Sequence, residues 1–155
     1  MKIKVKKITS ENFSTFGKVV TGAVGDPTSK AADYKFWSNI MSYYIDGETE
    51  VGICTVYKQP SISINGMERH LNTPEILIPI DAPFILPLLL NKDKPEQAEA
   101  FTVDVGQAIA IDEKVWHGAC IPLNKSESSY FVIFKKGTPN NDVGKTNLPE
   151  ITIEP

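Results

Sequence analysis

The chain carries two histidines, and each stands among residues that can share its chemistry. The first lies in Gly66-Met67-Glu68-Arg69-His70-Leu71-Asn72-Thr73-Pro74-Glu75, the second in Val115-Trp116-His117-Gly118, shortly after Gly106-Gln107. Residues i and i+2 of a strand project from one face, so a strand here points Glu68 and His70 together. Glu75 begins the next apolar run, beyond an Asn-Thr-Pro turn, and as the second arm of a hairpin it returns to that face. A later strand supplies His117. Glu68, His70, Glu75 and His117 then form a mixed nitrogen–oxygen ligand set for a divalent transition metal such as Mn, Fe, Ni or Zn. The same groups suit proton transfer, because imidazole titrates nearest neutrality, and His70, His117 and Glu68 are the candidate catalytic residues. The bland alternative is two part-buried histidines satisfied by their neighbours; the spacing favours use.

Three further residues are candidates for contact with a substrate: Arg69, Gln107 and Trp116. Arg69 is the only arginine beside fifteen lysines. A guanidinium holds a carboxylate in a planar, bidentate way that an ammonium does not match. Strand alternation opposes this role, turning Arg69 to the face opposite Glu68 and His70, where it serves packing or a dimer contact. Trp116 reads first as packing of a barrel wall and second as a ligand platform. Gly106 fits a turn entering a strand, and Gln107 is placed to line a cavity. Lys114 reads as solvated. Cys54 and Cys120 form neither a CxxC nor a disulfide framework. They read as small buried residues, with a reactive thiol at Cys120 beside His117 as the alternative.

The elements that must position these residues are mostly short strands. Runs at Tyr34–Tyr44, Val51–Lys58, Ser61–Ile64, Met67–Leu71, Glu75–Ile80, Phe84–Leu90, Ala98–Val103, Gln107–Ile111, Val115–Ile121 and Ser129–Lys135 are separated by turn signals. Asn65-Gly66 predicts a hairpin turn between two of them. Thr9 to Phe13 predicts a short helix, capped by Ser10 and ended by Gly17. The polar tail from Gly137, with three prolines, predicts an extended arm or a loosely ordered segment. Many short strands with almost no helical periodicity indicate an all-β sandwich or barrel. No repeat or linker divides residues 1–155, which read as a single domain.

Composition narrows the classes of partner. Sixteen basic against nineteen acidic residues give a net charge of -3, which argues against a dedicated nucleic-acid binder, since that needs a basic face. The most apolar stretch, Ile76–Leu90, is broken by Pro79, Asp81, Pro83 and Pro87 and is shorter than the ~20 residues of a membrane span. Met1–Lys7 alternates charge with apolar residues and lacks the apolar core of a secretory signal, which predicts a cytoplasmic location.

Glu68-x-His70-x4-Glu75 resembles the first motif of the cupins, with Glu in place of its first His, and Gly106 to His117 resembles the second. The chain is most similar to one branch, the ureidoglycolate lyase (ureidoglycolate hydrolase) family. The likeness rests on Thr9-Ser10-Glu11-Asn12-Phe13-Ser14-Thr15-Phe16-Gly17-Lys18-Val19-Val20, on Glu68-Arg69-His70, on Ile78-Pro79-Ile80 and on Trp116-His117, in order over residues 8–140. It departs from the family's pattern at Glu75, where Gln is usual, and at Gly118-Ala119, where His or Pro usually follows Trp-His. The resemblance implies an all-β cupin-like double-stranded β-helix barrel with a short N-terminal helix. It also implies a carbon–nitrogen lyase releasing urea and glyoxylate from ureidoglycolate, a small carboxylic acid, in allantoin and purine breakdown, and a homodimer. Two alternatives stand beside it: a metal-dependent cupin, isomerase or dioxygenase, acting on another small acid or sugar, and a non-catalytic small-molecule-binding cupin.

Overall fold

The computed structural model describes residues 1–155. Its strands are β1 (Lys2–Lys7), β2 (Gly17–Val20), β3 (Ser29–Lys30), β4 (Lys35–Phe36), β5 (Thr49–Tyr57), β6 (Ser63–Arg69), β7 (Glu75–Pro79), β8 (Phe84–Leu89), β9 (Glu99–Val103), β10 (Ala108–Ile111), β11 (Trp116–His117), β12 (Ile121–Pro122), β13 (Glu127–Lys135) and β14 (Gly144–Glu154). One 3₁₀ turn, Pro95–Gln97, and one short helix, α1 (Thr138–Asn141), complete the set. No helix is long and apolar enough to cross a membrane.

Twelve of the strands form two sheets, and β3 and β4 pair apart from them. The first runs β11-β6-β14-β1-β9-β8-β12, and a further pairing of β11 with β8 closes six of its strands into a barrel. The second runs β2-β10-β7-β13-β5, with every neighbouring pair antiparallel. The expectation of an all-β barrel is met. Side chains alternate across β8 because the strand period is two. Phe84, Leu86 and Leu88 enter the main core with Phe101, Ile109, Leu77 and Tyr130, between the two sheets. Ile85 and Leu89 face the other way, into apolar clusters that draw Met67, Trp116, Ile151, Ile153, Ala100 and Ile3 from the other five strands of the barrel.

Four expectations need correction. The predicted N-terminal helix is absent, and residues 10–16 form turns. Thr9 and Asn12 exchange bonds: the Thr9 N–H donates to Asn12 Oδ1 at 2.9 Å and the Asn12 N–H to Thr9 Oγ1 at 3.1 Å. These bonds cap a helical turn rather than replace it, but while Phe13 and Gly17 bond four residues back, Ser14 and Phe16 bond three back, so the turns do not run on as a helix, and Gly17 opens β2. Asn65-Gly66 is no hairpin turn but lies within β6. The irregularity falls on the partner strand, where the β14 register shifts between Asn147 and Ile151 across Pro149, which has no N–H to give the ladder. A Cβ at Gly66 would stand 3.2 Å from the Thr146 carbonyl oxygen, so glycine suits that close approach. The tail is no loose arm: β14 is an eleven-residue strand, antiparallel to β6 and parallel to β1. Lastly, Tyr34–Tyr44 contributes only β4, paired with β3 in a two-residue ladder.

Candidate active site and metal centre

The site lies where the first sheet faces the second. Antiparallel register sets Glu68 of β6 directly opposite His117 of β11, and opposite residues share a face. His70 follows β6, where the chain turns toward β7. Glu75 does not return along a hairpin: β6 and β7 belong to different sheets, and Glu75 reaches the cluster from across the core. Lys114, with φ of 70°, holds the entry to β11, and its N–H donates to the His70 carbonyl at 2.7 Å. A non-glycine residue in that conformation costs free energy unless its surroundings require it; here it ties the two histidine segments together.

All four residues converge. Donor atoms of Glu68, His70 and His117 lie within 4.8 Å of one another. Glu75 Oε2 lies 3.2 Å from His117 Nε2 and 3.8 Å from His70 Nε2. The imidazole rings are 5.2 Å apart between centroids. His70 and His117 are each only 5% exposed and Glu75 8%, yet His70 Nε2, His117 Nε2 and Glu75 Oε2 have no hydrogen-bond partner. The short Glu75–His117 approach lacks hydrogen-bond alignment. Buried polar atoms are satisfied almost everywhere in proteins, so three orphaned and convergent ones mark a place for a cation or a substrate. Two imidazole nitrogens and a carboxylate oxygen fit a divalent transition metal, and Glu75 stands outside that three-donor set.

Electrostatics sharpens the arrangement. Burial pushes the Glu75 carboxyl up, but the neighbouring His117 and His70 outweigh it and hold the group below its usual range. Burial pushes His70 down, and the carboxylates of Glu75 and Glu68, with the Asp142 carbonyl, more than reverse this. His70 Nδ1 sits 2.7 Å from the Asp142 carbonyl oxygen, an acceptor only, so Nδ1 carries a proton and in the neutral ring Nε2 presents its lone pair to the cluster. The Asp142 carboxylate in turn accepts from the N–H groups of Leu71 and Asn72 at 2.9–3.1 Å. Asp142, missed in the sequence, thus clamps the corner that carries His70. Its only local signal was Thr138-Pro139, which opens α1 just before it.

The other candidates go elsewhere. Arg69 lies opposite the cluster, its guanidinium carbon 4.4 Å from the centroid of the Trp116 ring. Trp116 packs against Met67, Leu89, Ala98, Leu148 and Ile151. Neither faces the cavity. Gln107 closes its own turn, accepting from the Asp104 N–H at 2.8 Å, and Gly106 takes φ of 92° there. Cys120 is buried and burial drives its thiol upward, so it stays protonated and unreactive. Glu68, Glu75, His117, Cys120 and Tyr130 line a cavity of about 310 Å³ between the sheets.

Over residues 1–154 the sequence matches the family described as ureidoglycolate lyase. The chain belongs to that family. No curated protein sequence matches it significantly. Among solved structures it is similar to an oxalate decarboxylase, at 15% identity and a TM-score of 0.47 over 66% of this chain and 24% of that one. It is also similar to vicilin from Solanum melongena, at 10% and 0.46 over 64% and 26%. A dTDP sugar isomerase from Desulfovibrio desulfuricans G20 matches at 12% and 0.49 over 84% and 83%. The chain spans about a quarter of the length of the first two. Of Glu68-Arg69-His70 and Trp116-His117, only alternate residues enter the cluster: Glu68, His70 and His117.

Proposed function

We propose that this family member cleaves ureidoglycolate to urea and glyoxylate. The observation that carries the reading, together with the family match, is the buried cluster of unpartnered His70 Nε2, His117 Nε2 and Glu75 Oε2 at the edge of a cavity sized for a small acid. The reaction reverses an addition to an aldehyde. The substrate hydroxyl loses its proton, the oxygen's electrons form the carbonyl, the carbon–nitrogen bond breaks, and the departing urea nitrogen gains a proton. Glu75 suits the transfer: it lines the cavity, stays ionised despite burial and has a free oxygen. His117, 3.2 Å from it, steadies the carboxylate before it takes the hydroxyl proton and again after that proton has passed to the urea nitrogen. His70 is held by the Asp142 carbonyl with its Nε2 aimed inward. Glu68, His70 and His117 would hold a divalent metal, which when bound supplies Lewis-acid polarisation of the substrate oxygens.

The test is release of glyoxylate and urea by protein purified without chelator and assayed with Mn, Fe, Ni or Zn supplied in turn. Because Gln is usual in the family at this position, Glu75→Gln separates the roles: a fall in kcat of about 10²–10⁴-fold with little change in KM assigns the proton transfer to Glu75, and an unchanged kcat assigns it to His117. Folded protein that releases no glyoxylate under any of these conditions overturns the reading. Glu75 in place of the family's usual Gln favours, as second reading, a metal-dependent enzyme acting on another small acid or sugar. Turnover from a substrate panel with none on ureidoglycolate would establish it, and binding without turnover would mark a non-catalytic binder.

A further inference from the structure

A two-carbon acid needs a cation for its carboxylate, and the sequence offered Arg69, which the structure turns away from the cavity. We propose that Lys145 takes this place as the residue that binds the substrate carboxylate, an assignment that rests on reading the site as one for a small carboxylic acid. The β14–β6 register sets Lys145 opposite Glu68, and the β6–β11 register sets Glu68 opposite His117. His117, Glu68 and Lys145 therefore form one row across three strands, on one face. Neighbouring strands lie about 4.8 Å apart, so the Lys145 backbone stands about 10 Å from that of His117, and its long arm spans part of the gap.

The cavity walls lead to the same residue. A second cavity of about 290 Å³ adjoins the first, and the two share Glu68, His117 and Ala119. Glu50, Glu68 and Glu75 line the pair of cavities, and Lys145 is the one lysine or arginine in either lining. An anionic substrate entering here meets three carboxylates and this single ammonium. Lys145 is exposed, and none of the ion pairs or side-chain hydrogen bonds in the structure engages it. A lysine serving only as the cross-strand partner of Glu68 would close that pair; this one is left free.

The experiment compares wild type, Lys145→Gln and Lys145→Arg in ureidoglycolate kinetics and in calorimetric titration with glyoxylate, with melting temperature as the check of folding. Lys145→Gln should raise KM and weaken glyoxylate binding by about 10–100-fold, the size of one charge-assisted hydrogen bond, while kcat changes less than about threefold. Lys145→Arg should recover most of the loss, and inhibition by urea, which has no carboxylate, should be equal in all three. KM and glyoxylate affinity within twofold of wild type in Lys145→Gln overturn the role of Lys145 and leave the lyase reading standing. Absence of turnover by wild type counts against the lyase reading instead, and glyoxylate then judges Lys145 alone: binding lost in Lys145→Gln supports it, while binding retained, or absent from wild type, overturns it. Should Lys145→Gln melt early, Lys145→Met is read in its place.

Discussion

The two faces of β6 and β11 are built from the same few residues and do opposite work. On the inner face Glu68 and His117 stand opposite each other with His70 beside them, and buried nitrogen atoms are left without partners. On the outer face Met67, Arg69 and Trp116 are engaged: Trp116 and Met67 join an apolar cluster and the Arg69 guanidinium stands over the indole. A period of two is enough to separate them. Unsatisfied groups cost stability and are retained where they bind something, whereas the packed face provides the rigidity that holds them in place. The inner face should therefore respond to mutation in activity, and the outer face in stability.

The largest contrast should come from the histidines. His70→Ala and His117→Ala should each reduce kcat/KM for ureidoglycolate by about 10²–10⁴-fold, with a smaller loss of stability than Trp116→Ala because each removes an unpaired buried polar atom, His70→Ala losing the more because its Nδ1 bond to the Asp142 carbonyl goes too. Losing both activity and fold would show that the inner face is structural after all. Trp116→Ala should do the reverse. It removes a large side chain that is only 4% exposed and should cost about 3–5 kcal/mol in denaturant unfolding. Trp116→Phe, which keeps much of the packing, should retain its KM, and a large rise in KM there would put the indole in the site.

Smaller effects test how the faces are tied together. Asp142→Ala removes the carboxylate that accepts from Leu71 and Asn72 and should cost about 1–2 kcal/mol, with a fall in kcat as His70 loosens. Burial raises the Asp142 carboxyl, but those two N–H donors outweigh it and hold the group below its usual range. Its stabilisation is thus present above the unfolded value near pH ~4 and is lost as pH falls through the lower folded value. The variant should show a shallower loss of stability over that acid window, and an unchanged slope would remove the clamp. Arg69→Met should be the mildest change, at about 1 kcal/mol for the lost contact with the indole, and KM should stay within twofold. A tenfold rise in KM would return Arg69 to the substrate and erase the distinction between the faces.

Much of this was legible in the residues. Alternation around Glu68-Arg69-His70 is a local property of any strand, so the split between Glu68 and Arg69 followed as soon as a strand was assumed. Trp116 beside His117 obeys the same rule. The all-β class followed from short apolar runs with turn residues between them. Errors arose where local signals compete with each other or with distant partners. Thr9 and Asn12 make the reciprocal cap of a helix start, but the segment has only turns before Gly17 opens β2. Asn65-Gly66 favours a hairpin turn when considered alone, but β14 lies alongside and pairs on both sides of Asn65, at Gly66 and Ile64, taking the irregularity itself. The tail read as polar because charged and polar residues dominate it, although Ile151-Thr152-Ile153 alternates as an edge of the core should, with both isoleucines buried.

The sequence by itself determined which residue types could do chemistry and which neighbours share a face, because both depend on covalent spacing and the strand period. It could not determine which strands lie side by side. Glu68 meets His117 through a pairing between residues 49 positions apart, and His70 meets Asp142 across 72. Glu75 reaches the cluster from the opposing sheet, not from a hairpin. Lys145 comes beside Glu68 only because β14 crosses back to pair with β6. Register between distant strands is set by the burial of Leu148, Ile151 and Ile153 against Met67 and Ile85, a packing decision made collectively by the folded chain.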